Sequence, residues 1–273
     1  MGTAMRSPFH ASLVAALARL PERPRAVGSE LTCVDETPST NDLAHAAAAA
    51  GCSDGAVFIA DVQTAGRGRS GRTWLSGPGD CALVSVVLRA AMPATEIGHL
   101  TMLGACAVAA AVESAVGVAC KLKWPNDVEV RGRKLAGVLV ESSLVGERLD
   151  YAVLGIGVNL NLDTSTLPAI RDTATSVAVE IGRPVDRAAF VAELLLQLER
   201  RYDLLVRGLG RAIFEEWRDR LSTLGRRVRL VEPDGSEVEL EAVDVSLDGA
   251  LIGRRADGAR YVALLGDVTL RPA

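Results

Sequence analysis

Residues 66–74 combine three arginines with three glycines and contain no acidic residue. Glycine lets the backbone adopt positive φ and approach a ligand closely, whereas arginine presents planar, forked donors that suit phosphate or carboxylate. A loop of this composition can direct several N–H groups at one anion. The segment is therefore predicted to bind an anionic substrate.

The same residues, from Gly66 to Gly71, also satisfy the G-x-G-x-x-G pattern of dinucleotide-binding folds. In those folds the glycine-rich loop opens a helix, and an acidic residue for the ribose ends the next strand. Here residues 74–79 continue as loop, and no such acidic residue follows at the expected distance. The dinucleotide interpretation is disfavoured, and a merely solvated loop stays as the alternative to an anion-binding one.

Residues 121–127 read Lys-Leu-Lys-Trp-Pro-Asn-Asp, so that proline stops a short strand just before two short polar side chains. A turn that presents Asn126 and Asp127 beside Lys123 can hold a phosphate bound to Mg²⁺, which prefers one or two carboxylates plus substrate oxygens. An Asx-type turn with a solvated lysine explains these residues equally well.

Two further polar residues stand at the ends of apolar strands. Lys134 opens a strand that contains Gly137, and Asn159 ends the run Gly-Ile-Gly-Val-Asn at 155–159. Taken alone, Lys134 fits a solvated strand end better than a buried cation. The small residues before Asn159 suit contact with a planar base or a urea-like group.

These residues must be positioned by strands and helices that alternate along the chain. Strands are predicted at 31–34, 56–62, 81–89, 134–144 and 151–158, with a strand–turn–strand unit at 121–130. Helices are predicted at 8–20 with Ser7 as N-cap, at 40–51 after the cap-rich residues 37–41, and at 96–117, 177–181, 186–206 and 211–224. Residues 63–80 form a long loop, and a turn at Gly146 joins two antiparallel strands.

After Gly225 the pattern changes to short alternating strands separated by Asp-Gly turns, which is typical of a small barrel. We therefore expect an α+β protein with two domains, residues 1–224 and residues 225–273.

Composition excludes several classes of protein. The net charge of −4 gives the whole chain no attraction to a polyanion. The five cysteines are odd in number and lack metal-type spacing, which favours reduced thiols and a cytoplasmic location. The apolar residues 100–118 carry Glu113 and are interpreted as a core helix, so no membrane span is expected.

In this order, the arginine–glycine loop, the Lys-Trp-Pro-Asn-Asp turn, the Lys134 strand and residues 155–159 resemble the catalytic domain of biotin protein ligases. The resemblance extends from Ser39 through residues 266–271 of the C-terminal strands. It implies a catalytic domain like that of class II aminoacyl-tRNA synthetases, with a mixed sheet flanked by helices, followed by a small SH3-like β-barrel.

The resemblance also assigns roles to individual residues by matching position. The implied biotin-binding residues are Ser39, Thr40, Asn41, Gln63, Gly66, Arg67, Gly68 and Lys134. The implied ATP- or adenylate-binding residues are Arg69, Arg72, Trp74, Asn126 and Asn159. The implied catalytic residues are Lys134, Arg69, Arg72, Lys123 and Asp127, and Asp127 is also the candidate ligand of Mg²⁺.

The implied reaction joins biotin to ATP as biotinyl-5′-AMP and then passes biotin to a lysine of a biotin carboxyl carrier domain of acyl-CoA or pyruvate carboxylases. Bringing two anions together requires cations, which the arginines and Lys134 supply. No protein nucleophile is needed, and the three histidines lie outside every motif.

Two other functions share parts of this pattern. A lipoate or octanoate ligase would use the same acyl-to-lysine chemistry, and a non-catalytic sensor would bind biotin alone. The loop and the Lys-Trp-Pro-Asn-Asp turn together favour biotin, and the number of cations favours catalysis. Some members of the family carry an N-terminal helix-turn-helix, but only one helix is predicted before residue 31, so DNA binding is not expected.

Overall fold

The computed structural model describes residues 8–232, 234–264 and 267–270. Its larger sheet has seven strands in the order β1-β2-β3-β7-β6-β5-β4, and only the β1–β2 pair is parallel. The strands are β1 (Leu31–Thr37), β2 (Val57–Gln63), β3 (Cys81–Leu88), β4 (Lys121–Lys123), β5 (Asp127–Val130), β6 (Arg133–Val145) and β7 (Arg148–Asn159). The expected mixed sheet is thus confirmed.

Helices cover both faces of this sheet. They are α1 (Pro8–Arg19), α2 (Thr40–Ala49), α3 (Gly98–Val116), α4 (Val177–Ile181), α5 (Arg187–Val206) and α6 (Gly210–Arg220). Successive strand residues point to opposite faces. Accordingly Val86 of β3 joins the main core, whereas Val87 joins a smaller core beneath the alanine-rich α2. With both faces covered, β3 is buried along its whole length.

Helix α3 crosses the main core. The stretch Ala94–Val116 is the one segment of the described residues that is long and apolar enough to cross a membrane, and 67% of its most apolar window is buried within the protein. Its contacts with α5 and α6 are those of a core helix of a globular protein.

The last strands form a five-stranded antiparallel sheet in the order β11-β10-β9-β8-β12. They are β8 (Arg227–Val231), β9 (Glu237–Val245), β10 (Leu251–Arg254), β11 (Arg260–Ala263) and β12 (Asp267–Leu270). This sheet docks on the turn after β4, where the fully buried Trp124 donates its indole N–H to the carbonyl of Gly249 at 2.8 Å. The site-bearing turn and the C-terminal sheet therefore share one core.

Most predicted elements are present, with shifted ends. The strand predicted at 31–34 extends to Thr37, the helix predicted to reach residue 224 ends at Arg220, and Gln63 belongs to β2 rather than to the loop. The predicted N-cap Ser7, the barrel residue Gly266 and Arg271 lie outside the described residues.

Candidate active site

A cavity of about 320 Å³ lies between strands β6 and β7 and the loop that follows β2. Twelve of the residues singled out from the sequence line it: Ser39, Thr40, Asn41, Gln63, Arg67, Gly68, Arg69, Arg72, Trp74, Asn126, Lys134 and Asn159. Segments far apart in the chain therefore converge on one cavity.

Uncharged polar side chains line one end of the cavity. Ser39 caps α2, and the next residues turn inward, so that Thr40 and Asn41 are buried. Thr40 donates its backbone N–H (2.7 Å) and its hydroxyl (2.9 Å) to Oε1 of Gln63. The buried Ser85 hydroxyl lies 2.7 Å from the Thr40 hydroxyl and 2.6 Å from Oδ1 of Asn41, and it can donate its proton to either. We call Ser39, Thr40, Asn41, Gln63 and Ser85 the neutral end.

The neutral end is closed by a carboxylate that the sequence analysis missed. Asn41 donates from Nδ2 to Oε2 of Glu141 at 2.5 Å. Each buried polar group thus has a partner, which is the condition under which such groups are tolerated inside a protein. Ser85, a lone polar residue within the apolar strand Cys-Ala-Leu-Val-Ser-Val-Val-Leu, was the available signal for this network.

Two glycines of β7 make room for side chains from other elements. A Cβ atom on Gly155 would lie 2.3 Å from Oδ1 of Asn41, and one on Gly157 would lie 2.6 Å from Cε2 of the Trp74 indole. Both distances are far below van der Waals contact. The Gly-Ile-Gly pattern therefore reflects close approach of the neutral end at one glycine and of the loop tryptophan at the other.

The arginine–glycine loop is a small hairpin rather than an open coil. The N–H of Trp74 bonds to the carbonyl of Gly66 (2.9 Å), and the N–H of Gly68 bonds to the carbonyl of Arg72 (2.7 Å), around a 3₁₀ turn at Arg69–Gly71. Gly71 has φ of +72°, a conformation that favours glycine. This hairpin holds Arg69 and Arg72 at the cavity.

Arg67 lines the cavity, but its guanidinium makes a bidentate ion pair with Asp42 of α2, at 2.6 and 3.0 Å. This hydrogen bond holds the pKa of Asp42 below its usual value. The sequence analysis expected Arg67 to meet an anionic substrate, whereas the structure shows it bound to a carboxylate of the protein. The pair ties the loop to α2.

Charged residues gather at the other end of the cavity, around Lys134. Its ammonium lies 2.7 Å from Oδ1 of Asp127 and 5.7 Å from the centre of the Trp74 ring. Glu129 is buried on the same strand as Asp127, and burial raises its pKa, against the opposing effect of Lys123. We call Lys123, Asp127, Glu129 and Lys134 the charged end.

The predicted wall residues Lys123, Asp127 and Gly66 do not line the cavity. Lys123 and Asp127 are cross-strand partners on β4 and β5, and β5 pairs in the same sheet with β6, which carries Lys134. Gly66 is buried beneath the loop, where a Cβ atom would lie 2.9 Å from Nε2 of Gln63. Lys123 was expected to face the phosphate and metal region together with Asp127; it lies beside Asp127, outside the cavity wall, and its role stays a prediction.

Asn126 and Asn159 line the cavity and also support the backbone. Asn126 donates from Nδ2 to the carbonyl of Val138 at 2.7 Å, and Asn159 donates from Nδ2 to the carbonyl of Thr175 at 3.0 Å. Oδ1 of Asn159 also accepts a hydrogen bond from the thiol of Cys81 at 3.7 Å. Thr175 follows the wall residues Thr173 and Ala174, which were not singled out from the sequence.

Within the described residues, no group of three or more His, Cys, Asp or Glu side chains could by itself hold a metal ion. Asp127 is a single carboxylate beside a lysine. A magnesium ion that arrives with a nucleotide commonly takes one or two protein carboxylates and completes its shell with phosphate oxygens and water. The donor set fits such an ion, and does not fit a metal held by protein alone.

Comparison with known proteins supports one family. A model of the biotin/lipoate A/B protein ligase family matches residues 33–159. The chain is 36% identical to the biotin–acetyl-CoA-carboxylase ligase of Mycobacterium tuberculosis over 245 residues, which is 88% of each protein. It is 32% identical to the bifunctional ligase/repressor BirA of Bacillus spizizenii over 238 residues, 86% of this chain and 73% of that one.

A solved structure resembles the whole arrangement. The biotin protein ligase from Aquifex aeolicus in complex with biotin and ATP aligns with a TM-score of 0.74 at 27% identity, over 90% of this chain and 100% of that one.

Proposed function

Because the chain belongs to the biotin–acetyl-CoA-carboxylase ligases of the biotin/lipoate A/B protein ligase family, we propose that it activates biotin with ATP and transfers biotin to a carrier protein. The observation that carries the proposal is one cavity with a neutral hydrogen-bonding end and a charged end. The first suits an uncharged ureido ring, and the second suits a carboxylate that meets a phosphate.

In the first step an oxygen of the biotin carboxylate attacks the α-phosphorus of ATP. The new O–P bond gives biotinyl-5′-AMP, and the bond to the β-phosphate breaks, so that pyrophosphate leaves with the electron pair. Lys134, with Arg69 and Arg72, would offset the charge that builds up on the phosphorus oxygens. Asp127 would hold Mg²⁺, which would neutralise part of the phosphate charge when bound.

In the second step the amine of a carrier lysine attacks the acyl carbon, the bond to AMP breaks, and the amine loses one proton. The chain supplies positioning here rather than a nucleophile. We infer that the acceptor is a biotin carboxyl carrier domain of an acyl-CoA or pyruvate carboxylase; the name of the Mycobacterium tuberculosis relative supports acetyl-CoA carboxylase as one such acceptor.

The proposal also covers the parts of the fold that position the site. The larger sheet with its helices would be a class II aminoacyl-tRNA synthetase-like catalytic domain, residues 1–224, and the five-stranded sheet an SH3-like barrel, residues 225–273. All five cysteines are free, and burial raises the pKa of Cys81, Cys106 and Cys120 to about 12. Inert buried thiols suit the cytoplasm, which we propose as the location.

Exchange of radiolabelled pyrophosphate into ATP tests the first step. We expect exchange that depends on biotin and is absent with lipoate in its place. Exchange with lipoate but not biotin would assign the chain to lipoate chemistry, and biotin binding without exchange would make it a sensor. Transfer of biotin to a purified carrier domain tests the second step.

A further inference from the structure

Glu180 is a carboxylate outside the cavity whose side chain is almost fully buried, with 1% exposed. It lies on the short helix α4 and does not line the cavity. A buried carboxylate is tolerated only where charged and hydrogen-bonding partners compensate for the lost water. The identity of those partners therefore shows what this residue holds together.

The partners of Glu180 come from two segments. Oε1 accepts hydrogen bonds from Nη2 of Arg133 at 2.7 Å and from the hydroxyl of Thr175 at 2.6 Å. Oε2 lies 3.3 Å from Nη1 of Arg131. One carboxylate thus joins the turn between β5 and β6 to the segment that precedes α4.

Each of these segments carries cavity-lining residues beside the partner of Glu180. Arg133 precedes Lys134, whose N–H bonds to the carbonyl of Thr173 and whose carbonyl accepts the N–H of Thr175, both at 2.8 Å. The carbonyl of Thr175 also accepts a hydrogen bond from the side-chain amide of Asn159. Residues 173–175 therefore form a short parallel bridge with Lys134, and the hydrogen bond from Asn159 joins them to β7.

The turn that carries the two arginines is set in an unusual conformation. Arg131 has φ of +51° and Gly132 has φ of +76°, and Arg131 is the one non-glycine residue with positive φ in the described part of the chain. A left-handed conformation costs a residue with a side chain about 1–2 kcal/mol. The Arg131 side chain is 77% exposed, so its contact with Glu180 is expected to add little to stability, and Arg133 is the closer of the two arginine partners.

We propose that Glu180 is a positioning residue for the part of the cavity formed by Lys134 and Asn159. Through Arg133 and Thr175 it sets the placement of these two residues relative to each other. The inference rests on the proposed ligase function and extends it to a residue that touches no substrate. The neutral end lies about 13 Å farther along β7, the length of the four residues from Asn159 to Gly155. Its hydrogen bonds do not involve Glu180.

The test is Glu180→Gln, which keeps the shape of the side chain but removes the charge that two arginines share. In the biotin-dependent exchange assay we expect the KM for ATP to rise about tenfold to a hundredfold, the scale of small misplacements at a reacting centre. The KM for biotin should rise by a smaller factor, because Lys134 also meets the biotin carboxylate in the proposed reaction, whereas the neutral end that would bind the ureido ring is built independently.

Glu113→Gln is the matched control. Glu113 is also a partly buried carboxylate in a bidentate ion pair, with Arg220, but it joins α3 to α6 away from the cavity. This variant should lose stability without changing either KM. If Glu180→Gln raises both KM values by the same factor, or neither, Glu180 is structural only and the positioning role is refuted.

Arg133→Met covers the case in which Glu180→Gln does not fold, since the Arg133 side chain is about one-third exposed, at 35%. It should raise the KM for ATP in the same direction by a smaller factor, and unchanged KM values would overturn the proposal. If the wild-type protein itself shows no biotin-dependent exchange, the proposed function fails, and this outcome is distinct from a failure of the Glu180 role.

Discussion

The neutral end and the charged end of the cavity achieve selectivity by different means. At the neutral end, buried hydroxyl and amide groups of α2 and β3 bond to one another and to the half-buried Gln63 of β2. At the charged end, Lys134 lines the cavity. Three further charged residues lie on the neighbouring strands β4 and β5, outside the cavity wall: Lys123, Asp127 and Glu129.

This contrast indicates how binding and chemistry divide within one cavity. Directional hydrogen bonds between neutral groups discriminate by shape and pairing, and they are lost when a single partner is missing. Charge acts over a longer range and stabilises a transition state as its own charge develops. We therefore expect substitutions at the neutral end to change substrate affinity, and substitutions at the charged end to change the rate of the chemical step.

The largest effect is expected for Lys134→Ala. Lys134 is the one lysine among the described residues of the cavity wall. Its removal leaves the phosphorus oxygens of the proposed reaction without their nearest ammonium, so the kcat for adenylate formation should fall at least about a hundredfold. Lys121→Ala, an exposed lysine on β4, is the control and should stay near wild type. Biotin-dependent pyrophosphate exchange measures both, and a near-normal rate for Lys134→Ala would remove the charged end from the chemistry.

Gly155→Ala and Gly157→Ala compare the two ends directly, because the sites are two residues apart on β7. The new methyl group clashes with Asn41 in the first variant and with Trp74 in the second. Each clash should lower the free energy of unfolding by about 1–3 kcal/mol. We expect the KM for biotin to rise in Gly155→Ala and the KM for ATP to rise in Gly157→Ala. The reverse assignment would mean that the two ends bind the opposite substrates.

Ser85→Ala tests whether the hydrogen-bond network itself stabilises the neutral end. The substitution removes the buried hydroxyl that lies within hydrogen-bond distance of Thr40 and of Oδ1 of Asn41, so the free energy of unfolding should fall by about 1–3 kcal/mol, with weaker biotin binding. Urea unfolding and biotin titration measure the two quantities. The exposed Ser142 on β6, changed to alanine, serves as control, and equal stability of the two variants would contradict the role of the network.

The smallest effect concerns Glu129 and depends on pH. Burial raises its pKa in the folded state, so the folded protein holds this proton more tightly than the unfolded chain does. Stability from this group is therefore greatest below the unfolded pKa and decreases as pH rises through the folded pKa. Glu129→Gln should remove this pH dependence of the free energy of unfolding. In urea unfolding, the variant should exceed the wild type in stability by more at pH 7 than at pH 4. Parallel pH profiles would show that Glu129 is compensated by its lysine neighbours.

Local features of the site were predictable because they depend on neighbours in the chain. Ser39 caps α2 as its type suggests, and the loop glycine at position 71 adopts positive φ. The partner of Arg67 was not predictable in the same way. Asp42 lies 25 residues away, and nothing in the sequence shows that α2 and the loop meet.

The alternation of strands and helices, the chemistry of the loop and the family resemblance could be predicted from the sequence alone, since periodicity, caps and turn residues act over a few positions. Which charges share the cavity follows from the tertiary structure. Lys134 reaches the wall and Lys123 does not, because the register of β5 and β6, with its irregularity at Val128, sets which side chains face the loop. Electrostatic interaction depends on distance in space, and that distance follows from strand pairing rather than from separation along the chain.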